Sequence, residues 1–99
     1  MVNKKQIEKI LKTVNDPELN ISVVSIGLIY KITVDTQGNV TILMTLTSIG
    51  CPLFDLIAQD IREKVKTVKG VRSVSIDLTF EPVWTPDKMS KEAKAQLGL

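Results

Sequence analysis

The stretch LIYKITVDTQGNVTILMTLT, residues 28–47, decides the fold of this 99-residue chain. Apolar and polar side chains alternate along both of its halves, a pattern that predicts β-strands with one buried face and one polar face. Between the halves, Thr36-Gln37-Gly38-Asn39 supplies small and polar residues that favour a tight turn. We therefore predict an antiparallel hairpin with strands over about 28–35 and 40–47.

Apolar residues recur at helical spacing on both sides of this hairpin. The first helix is predicted over about 4–14, with Asn3 as its N-cap. The second begins at Pro52, which suits the first helical position, and Gly70 closes it. The apolar stripes are Ile7, Ile10, Leu11 and Val14 in the first helix, and Leu53, Leu56, Ile57, Ile61, Val65 and Val68 in the second.

A third alternating segment, residues 73–80, predicts another strand, and a short last helix runs from about Pro86 or Ser90 to Leu97. The order αββαβα predicts a single α+β domain over 1–99, a two-layer structure in which helices pack on one face of a three-stranded mixed sheet. The pattern leaves open which hairpin strand pairs with the third. It also leaves open whether the other sheet face is solvated, covered by the C-terminal segment or used as an interface; that face carries Lys31, Thr33, Thr45, Thr47, Ser73 and Ser75.

The amino-acid composition of the chain limits the classes of function that it can have. Hydrophobic residues make up 43% of the chain and charged residues 24%, which is typical of a folded protein. The net charge of +2 is too small to predict a nucleic-acid partner, and no apolar run approaches the roughly 20 residues of a membrane span. One cysteine cannot form an internal disulfide, so we expect a reducing, cytoplasmic setting. Because the chain has no histidine, Ser-His-Asp and Cys-His catalysis and histidine-ligated zinc are excluded.

Cys51 is the only cysteine, and it stands where the second strand gives way to the second helix. A thiol at a helix N-terminus tends toward the thiolate, the form that binds metals and attacks electrophiles. Gly50 permits a tight turn there, and Thr47 and Ser48 bring hydroxyls that could hydrogen-bond a bound sulfur or oxygen. The alternative is that Cys51 is a small buried apolar residue.

Asp16-Pro17-Glu18 is the second candidate site. It is an Asx-type turn, a one-turn helix capped by Asp16, or the source of a carboxylate that approaches Cys51 as a metal ligand or proton acceptor. A carboxylate beside the thiol would raise the pKa of Cys51 unless a metal cation offset both charges. The third candidate is Trp84, the only tryptophan, which either covers an edge of the core or anchors a partner.

Three segments resemble one known family. They are Asp16–Leu19 with Val24–Tyr30, then Met44–Leu53, then Phe80–Ser90. The resemblance is to the small iron–sulfur assembly family that includes SufT, the PaaD-related proteins and the eukaryotic cytosolic assembly adaptors. It implies an α/β fold and a role in maturing iron–sulfur proteins.

The resemblance also places the family's functional residues on this chain. The family's cysteine motif falls on Cys51, and its acidic motif falls on Asp16 and Glu18. Members usually carry a small residue or proline where Ile49 stands, so the turn before the cysteine is bulkier here.

The number of thiols limits what Cys51 can do. Common iron–sulfur clusters take about four protein thiolates or substitutes for them, and one chain offers one. We expect no cluster held tightly by a monomer, but a transient cluster or iron ion. That metal would be shared with a second copy through two Cys51 thiolates or completed by a partner.

The leading hypothesis is an assembly carrier or adaptor, not a catalyst, whose partners are the iron–sulfur assembly machinery and client apoproteins. The alternatives are a metal-free interaction adaptor and a thiol enzyme. A thiol enzyme would have no obvious general base beside Cys51 other than a carboxylate.

Overall fold

The computed structural model describes residues 2–17, 19–47 and 54–98. Strands β1 (Ile29–Val34) and β2 (Asn39–Met44) form the antiparallel hairpin, and β3 (Ser73–Leu78) pairs with β2 in parallel. The sheet order β1-β2-β3 settles the pairing that the sequence left open. The parallel pairing is expected, because a helical crossover returns the chain to the same end of the sheet before the next strand begins.

Four α-helices accompany the sheet in the described residues: α1 (Lys4–Leu11), α2 (Val23–Ile26), α3 (Phe54–Lys66) and α4 (Lys91–Leu97). Pro86–Lys88 forms a single 3₁₀ turn before α4. Helices α1 and α3 pack together on the apolar face of the sheet, so the predicted α+β class with a mixed three-stranded sheet is confirmed. The core includes Ile7, Leu11, Ile26, Leu28, Ile42, Met44, Ile57, Ile61 and Val65.

The predicted helix ends were too long. Helix α1 ends at Leu11 and not near residue 14, because Thr13 and Val14 donate to carbonyls only three residues back. Val14 nevertheless stays fully buried, which is why its spacing resembled another helical turn. Helix α3 ends at Lys66, and Gly70 lies in the turn that follows, with a φ of +97°. The predicted start of α3 at Pro52 and Leu53 falls outside the described residues.

A β-bulge interrupts the predicted alternation in β1. The register shifts between Ile29, which pairs with Met44, and Lys31, which pairs with Leu43. A bulge bends its strand and increases the local twist. Strict alternation was therefore wrong at this point, and Ile29 rather than Tyr30 stands opposite the buried Met44.

The polar sheet face is mostly solvent-exposed in the described residues. Lys31, Thr33, Ser73 and Ser75 are exposed, as is Thr47 beyond β2, whereas Thr45 is fully buried. None of the described helices is both long and apolar enough to span a bilayer.

Asp35 organises the turn between β1 and β2. Its Oδ1 accepts hydrogen bonds from the backbone N–H groups of Gln37 (2.8 Å) and Asn39 (2.9 Å), and its Oδ2 accepts one from Asn39 Nδ2 (2.9 Å). These bonds hold the pKa of Asp35 below its ordinary value of 3.8, and the bond from the Asn39 side chain has the largest effect. The turn therefore favours the ionised carboxylate.

A carboxylate with a lowered pKa gives the folded state a stability that depends on pH. The contribution of Asp35 is fully present above pH 3.8, the ordinary value, and is lost as the pH falls through the lower pKa of the folded state. We expect Asp35→Asn to flatten the decline in stability below that pH. Urea unfolding at a series of acidic pH values measures it, and an unchanged slope would contradict the role of this carboxylate.

Candidate functional site

The predicted site residues divide into two groups. Cys51, Ser48, Gly50 and Glu18 lie outside the described residues. Asp16, Thr47 and Trp84 lie within them.

Asp16 is a buried carboxylate at the start of a compact loop, with a relative exposure of 8%. Its Oδ1 accepts a hydrogen bond from the backbone N–H of Leu19 (3.0 Å), and its own carbonyl accepts one from Asn20 (2.7 Å). Its backbone N–H donates to the carbonyl of Ile21 (2.9 Å), which closes the loop. The Oδ1 bond reaches the N–H three residues on, as a helix-capping side chain does, whereas an Asx turn bonds two residues on. Asp16 therefore caps this turn, as one of the alternatives from the sequence had it. A turn role and a ligand role are compatible, since a carboxylate offers about four acceptor positions.

A chain of backbone hydrogen bonds connects the Asp16 loop to the end of β2. The N–H of Val23 donates to Val14 (2.9 Å), that of Leu28 to Val23 (3.0 Å), and that of Thr45 to Leu28 (2.8 Å). Val14 and Asp16 are two residues apart, so the acidic loop and the end of β2 lie at the same end of the sheet. Thr47 follows two residues after Thr45.

Helix α3 begins at that same end, because it connects the end of β2 to the start of β3, which pairs with β2 in parallel. The start of β3 lies at the opposite end of the sheet, beside the hairpin turn, where the Arg72 N–H donates to the Gly38 carbonyl (2.8 Å). Beyond α3, Gly70 lies against Val2 at the start of the chain: a Cβ built on Gly70 would lie 3.3 Å from Val2 N. Phe54, at the other end of α3, therefore lies toward the Asp16 end. The described residues on both sides of the 48–53 segment are thus at the end of the sheet that carries the acidic loop.

Thr45 is a polar residue in this region that the sequence did not single out as a site residue. It is fully buried, and its Oγ1 has no hydrogen-bond partner among the described residues. Leaving a buried hydroxyl unpaired costs about 1–3 kcal/mol. Alternation had assigned Thr45 to the polar sheet face, and nothing in the strand pattern distinguished it from its exposed neighbours.

Trp84 holds the C-terminal segment, residues 79–90, against α2. Its Nε1 donates to the carbonyl of Ile26 (2.8 Å), and its ring packs against the core while remaining partly exposed. Two further bonds support the attachment: the Ser90 N–H donates to Ser25 (2.8 Å), and the Tyr30 hydroxyl donates to the Pro82 carbonyl (2.8 Å). Trp84 thus covers an edge of the core, and its partner-binding role stays a prediction.

The described residues contain no group of three or more Cys, His, Asp and Glu side chains placed to hold a metal ion. Any metal set at this end of the sheet must therefore draw on residues outside the described part, on a second chain or on a partner.

Comparisons with known proteins agree with the family resemblance seen in the sequence. A family model described as "Iron-sulfur cluster assembly protein" matches residues 4–78. The chain is 50% identical over 95 residues to the Fe-S protein maturation auxiliary factor of Porphyromonas gingivalis, an alignment that covers 96% of this chain and 90% of that protein. It is 32% identical to the iron-sulfur cluster carrier protein of a Synechocystis strain, with 99% of this chain aligned to 27% of the carrier.

The solved structures include a similar fold. The crystal structure of a domain of unknown function from Bacillus anthracis superimposes with a TM-score of 0.93 at 36% sequence identity. The match covers 97% of this chain and 92% of that one.

Proposed function

Because this chain belongs to the iron–sulfur cluster assembly protein family, we propose that it is a maturation factor that passes a cluster, or iron, to client apoproteins. The relative from Porphyromonas gingivalis supports this, since its name describes an auxiliary maturation factor and the two chains align over nearly their full lengths. The cluster is cargo in this scheme, bound in order to be released.

Cys51 is the proposed transient ligand. A single thiolate holds a cluster weakly in comparison with the four ligands of an electron-transfer protein, and weak holding suits delivery. The remaining ligands come from a client, the assembly machinery or a second copy of the chain. The name of the Synechocystis carrier, a longer protein with one segment similar to this chain, supports a carrying role.

Asp16 and Glu18 are proposed as acidic ligands beside Cys51, and Thr47, Ser48 and Gly50 as the surroundings of the bound sulfur. The observation that carries this proposal is the hydrogen-bonded connection from Val14 through Val23 and Leu28 to Thr45. It brings the acidic loop to the end of the strand from which the chain proceeds to Cys51. Positive charge on the metal offsets the repulsion between the carboxylate and the thiolate.

The test is anaerobic reconstitution with iron and sulfide, followed by measurement of bound iron, bound sulfide and visible absorbance per chain. We expect Cys51→Ser to lose almost all bound cluster. Asp16→Asn keeps an oxygen that can accept from Leu19 N–H but removes the charge, so we expect reduced loading. Asp35→Asn is the matched control: it makes the same change in a turn at the opposite end of the sheet, and loading should equal that of the wild type.

Cluster loading of Cys51→Ser at the wild-type level would overturn the metal-handling proposal. In cells, the matching readout is the activity of iron–sulfur enzymes under iron limitation in a deletion strain that carries each variant.

A metal-free adaptor is the second candidate, favoured by apolar side chains exposed at the surface. Val83 is 68% exposed beside Trp84, and Leu56 on α3 is 61% exposed. In that case Cys51→Ser would support client maturation fully, whereas Val83→Ala would impair it.

A further inference from the structure

We propose that the outer edge of β3 is a dimerisation surface on which β3 of a second copy of this chain pairs antiparallel. The two three-stranded sheets would join into one six-stranded sheet across a two-fold axis. Such an interface is isologous, since each copy offers the same strand to the other.

The backbone of β3 is available on that side. The Thr79 N–H donates to the Met44 carbonyl, and the side of a strand that pairs with its neighbour alternates every residue. The N–H and C=O groups of Ser75 and Asp77 therefore face β2, and those of Val74, Ile76 and Leu78 face away from it. No described strand pairs with this outer edge.

The two edges of the sheet differ in how they are protected. Strand β1 carries a bulge and a central exposed lysine, Lys31, and its Tyr30 is tied to the C-terminal segment. Bulges and edge lysines are devices that prevent edge-to-edge pairing. Strand β3 has neither: all six of its residues pair in unbroken register with β2, and it contains no lysine or proline.

The apolar side chains of β3 also remain partly uncovered. Val74 and Ile76 are only half-buried under α3, and Leu78 is 41% exposed, whereas their β2 partners Val40 and Ile42 are almost fully buried. A second β3 strand would extend the apolar face and cover these side chains further.

The charges along β3 favour antiparallel pairing with a second copy of the chain. Exposed cations, Lys69 and Arg72, precede the strand, and exposed anions, Asp77 and Glu81, stand at its far end. Antiparallel self-pairing sets the cationic start of one strand beside the anionic end of the other, which is complementary, whereas parallel pairing would align like charges. With the two-fold axis at Ser75, Val74 lies opposite Ile76 of the second copy, and Arg72 before one strand comes beside the Asp77 end of the other.

The experiment measures mass by sedimentation over a concentration series, in the presence of a metal chelator. Wild type is expected to shift from monomer to dimer as concentration rises. Ser75→Lys and Ser75→Glu each place like charges opposite one another at the axis and should raise the dissociation constant several-fold. An equal mixture of the two variants should form the heterodimer, because lysine then faces glutamate. Thr33→Lys, an exposed position on the β1 edge, is the matched control and should dimerise like wild type.

Hydrogen exchange of wild type gives a second readout that needs no variant. The amides of Val74, Ile76 and Leu78 should become more protected as concentration rises, and those of β1 should not. A wild type that stays monomeric at millimolar concentration, or Ser75 variants that dimerise as wild type does, would overturn the proposal.

The inference does not rest on the metal-handling role. Cys51→Ser should dimerise like wild type in chelator, whatever its cluster loading, so failure of one proposal is distinguishable from failure of the other.

Discussion

Replacing Gly27 with alanine is expected to destabilise the protein by about 3 kcal/mol, for two separate reasons. Gly27 ends α2 with a φ of +89°, a left-handed conformation that costs an L-residue about 1–2 kcal/mol. A Cβ there would also lie 2.8 Å from the carbonyl carbon of Lys88 and closer still to its oxygen. The obstacle is backbone, so the C-terminal segment would have to move away from α2. Thermal unfolding should show a decrease in Tm of more than about 10 °C.

Gly98 provides the matched control. It also has a left-handed φ, +75°, but a Cβ on it would meet no atom of the described residues within 4 Å. Gly98→Ala should therefore cost only about 1–2 kcal/mol, for the left-handed conformation, and the difference between the two variants isolates the close approach to Lys88. Equal costs for the two substitutions would show that the contact between Gly27 and the C-terminal segment contributes nothing.

The sequence predicted the parts of this fold that depend on long repeating patterns. Alternation over residues 28–47 and the apolar stripes of α1 and α3 identified the sheet, its buried face and the two covering helices. The helix between β2 and β3 indicates that these two strands run in the same direction, but the sequence left open which hairpin strand is the neighbour of β3. The hairpin and the helical crossover are local or repetitive features, and each carries its own signal.

The sequence missed features that are too short to show a period and features that depend on residues far apart in the chain. Helix α2 spans four residues, Val23–Ile26, too few to establish a helical period. Its Ser22 N-cap and Gly27 C-cap were the available signals. The bulge in β1 depends on how two strands fit together, and the strand pattern did not mark it.

In the candidate site, too, the sequence predicted local features and missed those that depend on distant residues. The turn capped by Asp16 is local, and the sequence offered such a cap as one of three interpretations. Asp16 and Thr45 lie at the same end of the sheet because three successive backbone hydrogen bonds connect them through α2. The sequence missed α2, so it could not predict this placement. The hydrogen bond from Trp84 to Ile26 spans 58 residues, so no local pattern could give the acceptor.

Replacing Trp84 with alanine is expected to cost about 3 kcal/mol, because it removes an indole that packs on the core and leaves the Ile26 carbonyl without its donor. Trp84→Phe keeps an aromatic ring and loses only the N–H, so its cost should be about 1 kcal/mol. Chemical denaturation of both variants measures these differences. The order expected is wild type, then phenylalanine, then alanine.

This stability series determines how a loss of client maturation should be interpreted. Trp84→Ala would fail in cells through unfolding even if the ring never touched a partner. Val83→Ala changes the exposed neighbour and should alter stability by no more than about 0.5 kcal/mol. If Trp84 anchors a partner, Trp84→Phe should lower client activity at temperatures where it remains folded. A Trp84→Ala protein as stable as wild type would instead contradict the structural role and leave partner binding as the reason for this residue.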